Sequence, residues 1–235
     1  MAAGAASQPT APAESPPVRL VVGLGNPEPR YARTRHNAGQ VVLERLAARL
    51  GAARMKPKYA GRFAEARGPA GPLGLLVPTT YMNASGESVG PAAGALRARP
   101  EQVLVVHDEL DLPFGVVRGK RGGGTAGHNG LRSLREGLGS GDFLRVRIGI
   151  GRPPADFRGD GADWVLRPFA EPADEVEATL ERALEMVEAV LAEGMEAAVS
   201  RFHAGEPGAR ARARQDRRAA LAPAEGQASD EGEAG

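Results

Sequence analysis

The sequence predicts a single-domain α/β protein, a three-layer α/β/α sandwich around a mixed, largely parallel twisted sheet. Three observations carry that prediction. Short runs rich in Val and Leu recur at the length of buried strands. Segments with apolar residues at helical spacing alternate with them, the pattern that wraps helices around a sheet. The 235 residues are 42% hydrophobic, enough for one sizeable core.

Taken in chain order, residues 1–17 are rich in Ala, Pro and Ser, lack apolar periodicity and read as a disordered extension. The folded domain is expected over 18–203. Its first strand lies in VRLVVGLG (18–25), followed by a helix with Leu43, Leu46, Ala47 and Leu50 on one face and Gly51 as a stop signal. LGLLVP (73–78) and VLVVHDEL (103–110) read as buried strands, and a second helix is expected from about His128, with Leu131, Leu134 and Leu138 turned one way. Pro and Gly content around 113–127 suggests a mobile flap. FLRVRIGI (143–150) alternates strictly, which gives Arg145 and Arg147 one wet or functional face. A third helix, about 172–199, carries Val176, Leu180, Leu184, Val187 and Leu191 toward the core. Residues 204–235 read as a disordered tail.

Composition removes several function classes. There is no Cys, hence no disulfide and no thiolate nucleophile. His36, His107, His128 and His203 show no metal-ligand spacing, so neither a metal nor another cofactor is expected. The N-terminus has no basic and apolar leader pattern, and no apolar stretch has membrane-spanning length, which points to the cytoplasm and to no membrane partner. The formal net charge of +1 conceals an Arg run at 210–218 offset by acidic residues at 225–233, so net charge says little about partners.

Four polar segments lie beside the expected strand ends, where open α/β sheets place their sites: GLGNPEPRYARTRHNAG (23–39), PTTYMNASGESV (78–89), HDELDLPFGVVRGKRGGGTAGHNGLRS (107–133) and RVRIGIGRP (145–153). His36 falls in the first, and a His can take a proton from water at neutral pH. Asp108 ends a strand, where a carboxylate can hold an imidazole in one tautomer; the alternative is a turn cap. His107 and His128 read as structural or phosphate-side neighbours. Asn26, Asn83 and Asn129 supply uncharged amide donors and acceptors suited to ester and peptide groups, with turn formation the plainer alternative. Tyr31 and Tyr81 can stack on a base or ribose or simply pack, and Met82 reads as a cleft wall. Arg118, Lys120, Arg121, Arg132 and Arg135 surround a glycine-rich stretch that leads into a helix, a plausible cradle for phosphate, and Arg147 can join it. GLGNP fails as a dinucleotide fingerprint, because its third required glycine is Glu28.

The four segments, in order and at similar spacing, resemble the GLGNPG, TRHNxG, FMNxSG and HDELDLPxGxxRxKxGGGxGGHNGLRS patterns of the bacterial-type peptidyl-tRNA hydrolase family. The resemblance spans about residues 18–203. It implies a monomeric esterase that frees tRNA from prematurely released peptides, with His36 as general base, Asp108 as its orienter, and Asn26 distinguishing a blocked amino group from a free one. By the same resemblance Asn83 and Asn129 contact the substrate near the tRNA 3′ end. Three positions depart from the pattern: Glu28 replaces Gly, Tyr81 replaces Phe and Ala126 replaces Gly. The alternatives are an RNA-binding homologue without turnover, a serine esterase using Ser85, which lacks a G-x-S-x-G elbow, and an enzyme of small substrates that needs no tRNA.

Overall fold

A computed structural model describes residues 16–204; most of the expected N-terminal extension and nearly all of the C-terminal tail, with its Arg run, lie outside the described residues. One compact unit extends to Val199, and Ser200–Ala204 complete its last helix in the chain. The strands are β1 (Leu20–Gly23), β2 (Lys56–Lys58), β3 (Gly61–Gly68), β4 (Gly71–Pro78), β5 (Val103–Glu109), β6 (Val117–Arg121) and β7 (Leu144–Gly149). The helices are α1 (Ala38–Arg49), α2 (Ser85–Ala95), α3 (Asn129–Leu138), α4 (Gly161–Val165), α5 (Ala173–Glu193) and α6 (Met195–Ala204).

One seven-stranded sheet runs β2-β3-β4-β1-β5-β7-β6. Its centre is parallel, through β4–β1, β1–β5 and β5–β7, and both margins are antiparallel, through β2–β3, β3–β4 and β6–β7. The mixed sheet is therefore as expected, with the parallel part confined to the four buried central strands. Of these, β1, β4 and β5 read as near-continuous apolar runs because both faces are covered. On one face Leu20, Val22, Leu76 and Val105 pack with Val89 and Ala92 of α2 and with Leu131 and Leu134 of α3. The opposite face carries α1 and α5. Leu134 is fully buried, and truncating such a side chain to Ala costs about 2–5 kcal/mol.

Several elements were not legible. The margin strands β2, β3 and β6 lack the apolar runs of the centre, and β2 is exposed throughout. Helix α2 is built from small residues and contains Pro91, so its helical propensity is poor. Tertiary packing overrides this: a Cβ on Gly86 would meet the Ser133 carbonyl oxygen at 2.1 Å, so only Gly allows α2 and α3 to approach this closely.

Two local expectations are corrected, at Arg145 and at the C-terminal helix. Arg145 is buried, not on a wet face; its guanidinium donates to the carbonyls of Gly124 (2.7 Å) and Gly123 (2.9 Å) and lies 4.6 Å from the Phe143 ring. The stretch expected to be a mobile flap contains strand β6, and its glycine turn is tied to that arginine. The single long C-terminal helix is broken at Gly194, which has φ +84°.

Candidate active site

Because β1, β4 and β5 run parallel, their carboxyl ends share one edge of the sheet, where the loops gather their polar residues. The β1 loop carries Asn26, the β4 loop carries Tyr81, Met82 and Asn83, and β5 itself ends on His107-Asp108-Glu109. A 3-10 turn, Arg35–Asn37, then leads into α1. The start of α1 presses against β5 so tightly that a Cβ on Gly39 would lie 2.1 Å from the Val106 carbonyl oxygen. This close approach hangs His36 over Asp108.

His36 Nδ1 lies 2.9 and 3.1 Å from the two carboxylate oxygens of Asp108, and both residues are buried. His128 Nε2 approaches the same carboxylate at 3.2 Å. The tautomer of His128 follows from its other nitrogen: Nδ1 accepts the backbone N–H groups of Gly130 (3.1 Å) and Leu131 (3.4 Å), so the proton sits on Nε2 and is donated to Asp108. His128 thereby caps α3 and fixes the carboxylate. Burial by itself would raise the Asp108 pKa, but electrostatic attraction to the His36 imidazole and hydrogen bonds from His128 and His36 outweigh it and hold the carboxyl well below the usual range. An ionised Asp108 makes His36 Nδ1 the donor, leaving the Nε2 lone pair for a proton.

His107 on the same strand has a different part. Burial, then the neighbouring His128, pushes its pKa well down, and its Nδ1 donates to the Asp108 carbonyl at 2.6 Å. It is a neutral buried group beside the site. The side chain of His203 lies outside the described residues.

His36, Asp108 and His128 each offer a potential metal-ligand atom within 4.8 Å of the others, a grouping that linear spacing did not reveal. Their donors are nevertheless spent on one another: both imidazoles direct an N–H at the carboxylate, and the remaining nitrogen of His128 is an N-cap acceptor. A cation would have to displace those protons.

Asn26 is oriented just as firmly. Its Oδ1 accepts the Met82 N–H at 2.9 Å, while Asn37 grips its backbone, accepting from Asn26 N–H (2.9 Å) and donating to its carbonyl (3.0 Å). With its oxygen committed, Asn26 presents an NH2 group to the cleft. Asn129 repeats the device, since its Oδ1 accepts from Arg132 at 3.0 Å.

The resulting cleft has a volume of 620 Å³ and brings together seven of the eleven expected site residues: Asn26, His36, Tyr81, Met82, Asn83, Asp108 and Asn129. The other four lie apart from its lining. Tyr31 is half-buried beside Arg30, and Arg118, Lys120 and Arg147 lie on the β6–β7 margin, where Arg118 registers with Arg147 and Lys120 with Arg145. Burial and then the charges of Arg147 and Arg145 lower the Lys120 pKa. An apolar wall of Leu110, Val165 and Leu166 was not foreseen. It is held by Arg35, a fully buried guanidinium that donates to the Pro168 carbonyl (2.6 Å) and to both oxygens of Glu171 (3.2 and 3.1 Å) and stacks 3.9 Å over Trp164. Asn37, Arg35 and His128 were all visible inside the polar segments, but their partners were not.

An α/β sandwich with a carboxylate-anchored imidazole in an amide-lined cleft at its strand ends defines a hydrolytic enzyme. Comparison with known proteins narrows the class. The family profile described as Peptidyl-tRNA hydrolase matches residues 20–211. A peptidyl-tRNA hydrolase of Sorangium cellulosum is 47% identical over 211 residues, 87% of this chain and 93% of the relative. One from Mycobacterium tuberculosis is 50% identical over 188 residues, 79% and 97% of the two chains. The crystal structure of peptidyl-tRNA hydrolase from Acinetobacter baumannii superposes with a TM-score of 0.70 at 38% identity, covering 78% of this chain and 93% of that one. The chain belongs to the peptidyl-tRNA hydrolase family, and its activity is hydrolysis of the ester bond of peptidyl-tRNA.

Proposed function

We propose that His36 is the general base of this hydrolysis, acting on a water bound in the cleft. Nε2 takes a proton from the water as its oxygen attacks the ester carbonyl; Asp108 stabilises the imidazolium that forms. The NH2 groups of Asn26 and Asn129 meet the negative charge that develops on the carbonyl oxygen. The tetrahedral intermediate then collapses, and the imidazolium returns the proton to the departing 3′ oxygen of the tRNA. The products are the peptide acid and free tRNA, and no covalent enzyme intermediate forms. The observation that carries this reading is the 2.9 Å contact between His36 and Asp108 at the cleft.

Asn26 also supplies a basis for selectivity. With its oxygen held by Met82, its NH2 is the group left as a donor, which suits the carbonyl of a blocked amino group and opposes the ammonium of an unblocked one. Met82 and Asn83 border the same side of the cleft. The tRNA acceptor stem docks along Arg118, Lys120, Arg147 and the glycine-rich turn, where clustered cations meet phosphates without reading sequence. The mutually satisfied donors favour chemistry without a metal, and the enzyme acts as a cytoplasmic monomer. The binding-only alternative loses ground because every group of the proposed machinery is present and aligned, and Ser85 is ruled out as nucleophile by its buried hydroxyl, which donates to the Met82 carbonyl.

The test is release of N-acetylated amino acid from a purified N-acetyl-aminoacyl-tRNA in EDTA, with unblocked aminoacyl-tRNA as the control. Selective cleavage by wild type, lost in His36→Ala while tRNA binding persists, is the expected result. Binding without turnover by wild type would sink the mechanism, and inhibition by EDTA would sink its metal-free form.

A further inference from the structure

Two of the three departures from the family pattern touch each other. The Tyr81 hydroxyl donates a hydrogen bond to the Glu28 carboxylate, although the residues are 53 positions apart. Neither departure makes this bond alone, since Phe has no donor and Gly no acceptor. Arg30 binds the same carboxylate at 2.8 Å, and its guanidinium lies 4.9 Å from the Tyr31 ring centre. Tyr31, Arg30, Glu28 and Tyr81 thus form a continuous chain of contacts that reaches the cleft at Tyr81. Tyr81 is 54% exposed, the largest such value among the large apolar side chains of the described residues, yet it lines the cleft beside Asn26 and Met82. So exposed a ring has rotamer freedom to lose on binding, and a hydrogen bond at its tip removes part of that freedom beforehand.

We infer that Glu28, braced by Arg30, is a positioning residue that latches Tyr81 as a stacking platform for the terminal nucleoside of the tRNA. The inference rests on the reading of the cleft given under the proposed function. Stacking on an aromatic face tolerates any base and needs only a correctly presented ring. Leu110, Val165 and Leu166 line the same cleft and suit an apolar acyl side chain, which leaves the polar ring of Tyr81 for the nucleoside. A bare carboxylate there would repel phosphate, and Arg30 offsets it while remaining exposed to the substrate.

The experiment is a double-mutant cycle. Steady-state hydrolysis of N-acetyl-aminoacyl-tRNA is measured for wild type, Glu28→Gln, Glu28→Ala, Tyr81→Phe and the Glu28→Ala/Tyr81→Phe pair, alongside inhibition by the trinucleotide CCA. Thermal melting verifies that each variant is folded. Glu28→Ala and Tyr81→Phe are each expected to raise both KM and the trinucleotide inhibition constant about fivefold, with a smaller effect on kcat. The pair is expected to be no worse than either single variant, because both remove one bond. Glu28→Gln, which still accepts through its amide oxygen, stays within about twofold of wild type. Additive losses, unchanged KM in Glu28→Ala, or a KM rise without weaker trinucleotide binding would overturn the inference. Absence of turnover by wild type would overturn the cleft reading instead, a result that no variant can imitate.

Discussion

The cleft and the β6–β7 margin treat charge in opposite ways. In the cleft one carboxylate is buried under two imidazole donors, and the oxygens of Asn26 and Asn129 are committed to protein donors before substrate arrives. On the margin Lys120 faces Arg145 across the strands and Arg118 faces Arg147, with Glu109 the acidic neighbour of Arg147 at 3.8 Å. Burial first, and then the charges of Arg147 and Arg145, lower the Lys120 pKa there. In the proposed function, fixed geometry serves the reacting atoms, while clustered cations serve a polyanion whose exact position matters less.

Substitutions can separate the two regions. The largest effect is expected for His36→Ala, which removes the proposed base: kcat falls about 10³-fold, while tRNA affinity measured by filter binding changes little. Asp108→Asn follows closely, with a loss of about 10²–10³-fold, because an amide can direct its NH2 at His36 and favour the wrong tautomer. If either change instead weakened tRNA binding to the same extent, the division between cleft and margin would be false.

The margin should respond in affinity. Replacing Lys120 and Arg147 together by Ala is expected to weaken tRNA binding about tenfold and to lower the slope of log affinity against log salt by about 2. Titration of binding between low and moderate salt measures this, and an unaltered slope would remove both residues from the phosphate contacts.

Acid sensitivity belongs to the cleft. His107 has a folded pKa below its unfolded value, so its neutral form contributes stability fully above about pH 6.5, and that contribution is lost as pH falls. Asp108 is also depressed, and its contribution, complete above about pH 4, drains away only in stronger acid. Chemical denaturation of wild type between pH 7 and pH 5 should therefore show stability declining by up to about 1.4 kcal/mol per pH unit for the His107 proton. His107→Asn, which retains a donor for the Asp108 carbonyl, should flatten that decline. An equally steep slope in the variant would assign the proton elsewhere.

The smallest effect concerns Ala126, which occupies φ +46° in the glycine-rich turn where the family pattern has Gly. Ala126→Gly relieves strain of about 1 kcal/mol in the folded state but loosens the unfolded chain by a comparable amount. A change in melting free energy below about 0.5 kcal/mol is expected, and a large destabilisation would mean that the Ala side chain packs productively against a neighbour.

Much of this protein could be read directly. The central strands were legible because their burial on both faces requires continuous Val and Leu, and α1 and α3 because each has one apolar face and a defined boundary at Gly51 or His128. His36, Asp108 and the asparagines stood out as polar residues next to such strands. The sequence by itself therefore determined the central architecture and the chemical groups available. Only the tertiary structure decided that Asp108 receives two imidazoles, that Arg35 ties the apolar wall to the turn carrying His36, and that Arg145 is a buried brace while its neighbour Arg147 remains at the margin. Local pattern reports which face of an element is apolar, whereas a hydrogen bond between His36 and Asp108, 72 residues apart, exists only once the packing of α1 on β5 has brought donor and acceptor within 3 Å.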